Sequence, residues 1–250
     1  MERLGLRDDQ WDRIKDLLPG REGYGGGTAP DNRVFVDGVL YRLRTGIPWR
    51  DLPERFGKWS STYQRFNRWT KSGVFSRIFD ILSSDPDNEY NMIDSTIVRA
   101  HQHSAGAAKS SGPQAIGRSR GGLTTKIHTL VDALGNPIDF SLTAGQVHDL
   151  DGANALLKNV DAQALLGDKA YDADALINTL EEREITPVIP PKANRKTKRP
   201  CDFVLYRERN LIERFFNRIK QFRAIATRYD KLSRNFLAGI HLVATIVLLN

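Results

Sequence analysis

Only one cysteine, Cys201, stands among the 250 residues. A lone thiol cannot close a disulfide within the chain, and a reducing compartment is expected. Long hydrophobic runs are also missing. The longest, FLAGIHLVATIVLL near the C-terminus, is interrupted by His241. It falls short of the about 20 residues a bilayer requires, so a buried helix and no membrane are expected. The opening MERLGLRDDQW lacks the charged-then-apolar pattern of a signal peptide. No internal repeat is present.

What is present is globular: 40% apolar and 27% charged residues, enough for one large domain or two small ones. The net charge of +7 is unevenly spread. Residues 1–90 hold 15 Lys/Arg against 14 Asp/Glu, residues 91–190 hold 8 against 12, and residues 191–250 hold 14 against 4. A basic segment beside an acidic one suggests a polyanion guided to a site that needs carboxylates. A solvated basic face is the plainer alternative.

Apolar spacing predicts helices over 8–18 and 32–45, with a flexible loop at 19–31 between them. A short helix in IPWRDLPERFG follows, then one in KWSSTYQRFNRWTKSG capped by Ser60 or Ser61. Together these make a helix-turn-helix candidate. Its second helix would project Thr62, Gln64, Arg65, Asn67, Arg68 and Lys71 toward phosphates and base edges. Near residue 85 the texture changes to short β-branched runs. Strands are expected in NMIDSTIVRAH, TTKIHTLVDALG and PIDFSLTAGQ, with LGNP as a hairpin turn. A helix in GANALLKN, a strand in ALLGDKAYD, a helix at 173–184, a strand in TPVIPP, a basic loop at 191–202 and long helices from about 204 complete the order. That order predicts a mixed sheet with helices on its faces in a domain 85–250, preceded by an all-α domain 1–84.

Two aspartates stand out. Asp94 follows Met92 and Ile93 and precedes Ile97 and Val98; Asp168 ends the apolar run ALLG. A carboxylate in an apolar strand is costly without compensation. In open sheets, ligand sites gather at strand ends, so the two can meet and favour a cation between them. A turn former or helix cap is the alternative for each. Glu213 is more specific. On a helical projection Tyr206, Arg209, Asn217 and Lys220 lie within roughly 40° of it. Ile212, Phe215, Phe216, Ile219 and Phe222 occupy the opposite side.

Tyr206, Arg209, Glu213 and Lys220, separated by two, three and six residues, resemble the Tyr-Arg-Glu-Lys signature of bacterial insertion-sequence DDE transposases. PWRDLPERFG, MIDSTIVRAH, RSRGGLTTKIH, GDKAYD, LIERFFNRIKQFR and ATRYDKL resemble the insertion-sequence-five group. The resemblance implies a ribonuclease-H-like fold whose first strand, fourth strand and following helix carry Asp94, Asp168 and Glu213. It implies that these three hold two Mg²⁺ ions, with Mn²⁺ as a substitute, and catalyse cleavage at transposon ends and strand transfer. Tyr206, Arg209 and Lys220 would grip phosphates, with Lys126 pointing into the same cleft. Arg65, Arg68 and the basic loop (Arg195, Lys196, Lys198, Arg199) would contact the DNA backbone. His101, His103, His128 and His148 make no zinc pattern. The implied partners are double-stranded DNA, as terminal inverted repeats and target, and a second copy of the chain on paired ends. The implied location is the bacterial cytoplasm, at the nucleoid. The alternatives are a ribonuclease-H-like nuclease that does not join, and a helix-turn-helix regulator without catalysis.

Overall fold

Alternation through residues 90–100 puts Met92 and Asp94 on one face of a strand and Ile93 and Ser95 on the other. The structure, a computed structural model that describes residues 5–20, 31–108 and 112–250, builds its sheet around this strand. Residues 21–30 of the predicted 19–31 loop lie outside the described residues. The chain divides into two compact units. One comprises Met1–Leu82, His101–Gly112 and Ile219–Asn250; the other comprises Ser83–Ala100 and Pro113–Arg218.

In the second unit β1 (Tyr90–Ala100) pairs antiparallel with β3 (Gly122–Val131), which pairs antiparallel with β4 (Pro137–Ala144). On its other edge β1 runs parallel to β5 (Ala164–Gly167), and β5 runs parallel to β6 (Thr186–Val188). A short β2 (Gly117–Ser119), which the sequence pattern does not signal, forms a hairpin with β3. The order β4-β3-β1-β5-β6 is the mixed, ribonuclease-H-like sheet that the resemblance implies. The hairpin at LGNP is set by the Asp132 carboxylate, which accepts from the N–H groups of Leu134 and Asn136 at 2.9 and 2.7 Å, while Gly135 takes φ 79°.

Each face of the sheet has its own helices. α6 (Asp174–Glu182) buries Leu176, Ile177 and Leu180 with Ile93, Leu130, Leu165 and Tyr171. The same face receives α5 (Asp149–Ala153), a shorter helix than GANALLKN predicted; a 3₁₀ turn at Leu156–Asn159 takes up the rest. α5 sits so close to β3 that a Cβ on Gly152 would lie 2.1 Å from His128 Nε2. The opposite face, shared by Asp94, Thr129 and Phe140 through strand register, is covered by α7 (Asn210–Lys220), where Phe140 and Phe215 stack at 5.9 Å.

The first unit is helical. α1 (Asp8–Ile14) ends in a 3₁₀ turn, and α2 (Asn32–Thr45) is capped by the Asp31 side chain at its start and by Gly46, φ 74°, at its end. The predicted short helix is two 3₁₀ turns, Trp49–Asp51 and Glu54–Phe56. Each follows a proline, which has no N–H to continue a longer helix. α3 (Trp59–Lys71) begins after Lys58 rather than at Ser60 or Ser61, because the chain reverses at Gly57, φ 85°. α4 (Val74–Leu82), α8 (Arg223–Ala226) and α9 (Ser233–Leu248) complete the unit. α9 is the apolar run with His241, whose ring stacks on Phe79 at 5.3 Å. The expected domain 85–250 therefore differs from the observed division. Residues 219–250 join the helical unit, because α9 has apolar residues all round and buries them against α4, α2 and α3. The long C-terminal helices are likewise broken, by the 3₁₀ turn Leu205–Arg209 and by the extended pair Thr227–Arg228. Among the described residues no helix is long and apolar enough to cross a membrane.

His128 is fully buried, and burial lowers its pKa to about 4. The unfolded imidazole, near 6.5, takes up its proton first as pH falls, so this contribution is complete above pH 6.5 and lost on the way to pH 4. Urea unfolding at pH 7.5 and 4.5 should show an acid destabilisation about 2–3 kcal/mol smaller in His128→Asn than in the wild type, the part due to His241, whose pKa burial also lowers to about 4, remaining in both.

Candidate active site

Parallel pairing between β1 and β5 ends at Ile93 opposite Gly167. Asp94 and Asp168 are the next residue on each strand, so the topology sets two carboxylates side by side where the sheet opens. Gly167 leaves little room there: a Cβ would meet Tyr171 at 3.3 Å and Ile93 at 3.4 Å. The Asp168 carboxylate turns into the following 3₁₀ turn and accepts from Ala170 N–H at 2.8 Å. Asp94 is mostly buried. Burial raises its carboxyl above the usual range, and the Arg209 charge and the Ser95 amide pull the other way.

The third acid reaches this pair through an arginine. Arg209 donates Nη2 to Asp94 Oδ2 at 2.7 Å and Nη1 to Glu213 Oε1 at 2.8 Å. Tyr206 lies under the guanidinium, 6.0 Å from ring centre to Cζ. Tyr206 and Arg209 belong to a 3₁₀ turn rather than to α7, so the uniform helical projection does not apply to them. Glu213 is exposed on the first turn of α7, where the helix dipole favours an acid. Lys220 is the last residue of α7, and burial lowers its ammonium pKa.

Among the described residues no three His, Cys, Asp or Glu side chains are grouped to hold a metal ion. The triad is therefore not a ready-made coordination site, because Asp94 and Glu213 are joined through Arg209 rather than to one another. The setting nevertheless fits a cation. The donors are all carboxylate oxygens, which suit a hard divalent ion. A guanidinium already stands between two of them. The fully buried Tyr171 hydroxyl has no hydrogen-bond partner among the described residues and lies within the electrostatic reach of Asp94, Asp149 and Asp168.

Several predicted DNA contacts are engaged elsewhere. Lys126 is buried, donating to Val147 O at 2.7 Å and pairing with Asp149 at 3.0 Å, so it does not enter the cleft. Arg195 and Arg199 both grip Asp172 and Asp174, and Asp172 also accepts from Lys192 N–H at 2.7 Å. The basic loop is thereby fastened to the segment that leaves Asp168. Lys196 and Lys198 are exposed. In the helical unit Arg65 stacks over Phe35 and Trp69 and bonds Asn32, while Thr62 is buried on the carbonyls of Phe56 and Lys58. Gln64, Asn67, Arg68, Lys71 and Ser72 line a surface depression on α3. The sequence pattern does not single out Ser95, Asp149 or Tyr171, and Asp172, which reads as a helix cap, instead gathers Lys192 N–H, Arg195 and Arg199. The signal available for Tyr171 and Asp172 was a tyrosine and a second acid packed into GDKAYD.

The family model "Transposase DDE domain" matches residues 89–249, a span that holds all three acids. A second, "Putative transposase of IS4/5 family (DUF4096)", matches residues 6–79. The protein is thus an enzyme that cleaves nucleic acid and transfers strands, of a class that works with divalent metal ions. It belongs to the DDE transposase family. "Uncharacterized protein y4sN" of Sinorhizobium fredii is 47% identical over 112 residues, 45% of this chain and 90% of that protein. "Putative transposase for insertion sequence element IS6501" of Brucella ovis is 35% identical over 127 residues, 50% of this chain and 98% of that protein. Among solved structures, the piggyBac transposase synaptic complex with hairpin DNA aligns with 75% of this chain and 48% of its own, at 14% identity and TM-score 0.40.

Asp172 is a buried carboxylate holding three donors, so Asp172→Asn should cost about 2–3 kcal/mol, with exposure of the arginines softening the loss. Thermal unfolding of the variant checks this, and limited proteolysis should cut first within residues 191–202.

Proposed function

We propose that Asp94, Asp168 and Glu213 are the catalytic acids, and that the chain cuts transposon ends and joins them to target DNA. The observation that carries this reading is the placement of two aspartates at matching ends of adjacent parallel strands, with Glu213 tied to the first through Arg209. The three acids would hold two Mg²⁺ ions, Mn²⁺ serving as a substitute; such ions activate an attacking oxygen and stabilise the leaving one. Asp94, Asp168 and Glu213 would supply the carboxylate oxygens that hold them. Arg209 must release Asp94 and Glu213 for this to happen, and a DNA phosphate is the natural acceptor for its fork of donors. Tyr206 would align the backbone beside it, with Lys220 as a further phosphate contact. Water attacks first at the transposon end, and the freed 3′-hydroxyl then attacks the target.

Arg68, Lys71, Gln64 and Asn67 on α3 would meet duplex DNA, and Lys196 and Lys198 its backbone. Terminal inverted repeats bound by a homodimer, in the bacterial cytoplasm at the nucleoid, complete the proposal.

In a cleavage assay with Mg²⁺ on duplexes carrying the ends of the encoding element, Asp94→Asn and Glu213→Gln should each lose at least about a hundredfold in rate, as expected when charge stabilisation at a reacting centre is removed. Wild-type-like cleavage by Asp94→Asn would refute the assignment. Nicked products without joined ones would indicate a nuclease, and binding without any cut a regulator. DNA affinity should also fall steeply with salt, with about one counterion released per phosphate contacted; a flat response between 50 and 200 mM, the range over which such losses are large, would argue against α3 and the lysines as backbone contacts.

A further inference from the structure

Beneath Asp94, on the face of the sheet away from Arg209, lies a polar chain that the proposed reaction does not yet use. Lys126 and His128 are both buried in the middle of β3, in line with Ile97 and Ser95 across the β1 register. Apolar residues would serve a strand that packs on α5, since a buried ammonium is costly without a partner. Lys126 has two: Val147 O, in the loop before α5, and the carboxylate of Asp149, the first residue of α5. The same Asp149 oxygen, Oδ1, accepts the hydroxyl of Ser95. Ser95 in turn donates its backbone N–H to Asp94 Oδ1 at 2.7 Å. This happens where β1 has outrun β5, whose last paired residue is Gly167 opposite Ile93.

We infer that Lys126, Asp149 and Ser95 are positioning residues for Asp94, an inference that rests on reading Asp94 as a catalytic acid. The two oxygens of Asp94 have different holders. Oδ2 is held by Arg209, a long side chain that can leave for a phosphate. Oδ1 is held by a main-chain amide that stays, provided Ser95 is fixed. Pairing with His128 in the β1–β3 ladder holds the Ser95 main chain from one side, and its hydroxyl adds an anchor on the other to a buried ion pair. The brace thus preserves the orientation of Asp94 at the moment when its other partner is withdrawn. A sub-ångström error in a reacting group is expensive in rate, whereas DNA affinity depends on contacts elsewhere.

The decisive variant is Ser95→Ala, which cuts the link and leaves the ion pair intact. Single-turnover cleavage at saturating end duplex should fall about ten- to a hundredfold while the Kd for that duplex is unchanged. Exchange of the residue-95 amide hydrogen, measured in the free protein, should accelerate. Ser95→Thr, which keeps the hydroxyl, should restore most of both. Lys126→Met and Asp149→Asn should move rate and exchange in the same direction, so the test survives a poorly folded alanine variant. A wild-type rate in Ser95→Ala with its amide still protected would overturn the brace, as would a loss found in Kd rather than in rate. Asp94→Asn separates the two ideas: if it is inactive while Ser95→Ala is normal, only the brace fails; if it is active, the reading beneath it fails.

Discussion

The parallel register of β1 and β5 is the constraint on which the site depends. Pairing between them ends at Ile93 and Gly167, and the next residue along each chain is an aspartate, Asp94 still paired with Thr129 of β3 but open on the side toward β5. Two carboxylates are thereby held together by main-chain hydrogen bonds rather than by side-chain choice. Their repulsion is what a cation relieves, and Arg209 supplies one from the 3₁₀ turn that leads into α7. The apolar side of α7, including Ile212 and Phe215, fixes the helix to the sheet so that Glu213 and the arginine before it arrive at the same opening. Ser95, Asp149 and Lys126 are linked to one another on the opposite face of the same sheet.

Much of this was legible in the residues. β-branched alternation located β1, β3 and β4, and the Asn32–Thr45 helix showed its Gly46 stop. Asp94 and Asp168 stand out as candidates because a carboxylate inside or at the end of an apolar run conflicts with its surroundings. Partners were harder to read. Arg65, Arg195 and Arg199 look like free cations along the chain. In the structure they are spent on Asn32, Phe35 and Trp69 and on Asp172 and Asp174, residues as many as 33 positions away. Lys126 alternates with apolar neighbours as a cleft residue would, yet strand periodicity gives only a face, and this face meets α5. Charge patterns report where a cation is, and only the fold reports what neutralises it.

The helical unit shows the same limit for boundaries. A change of texture near residue 85 marks the start of the sheet correctly. Nothing local shows that the C-terminal helix α9 returns to the first unit, since its apolar sequence suits any core. Prolines 48 and 53 shorten the predicted helix before α3 into two turns, so a recognition helix there would be presented by a different scaffold than a helix pair.

The hydrogen bond between Arg209 and Asp94 spans 115 positions. Contacts of such long sequence separation form late, after nearer pairings have shortened the loop that must close. On a ribosome, β1 and β5 can emerge and pair with both aspartates in place while the third acid is still unsynthesised. A chain that stops before α7 carries the sheet and two of the acids but no Glu213. If Asp94, Asp168 and Glu213 act together as proposed, such a chain holds a sheet with two acids and no cutting centre, and the third acid arrives only with α7.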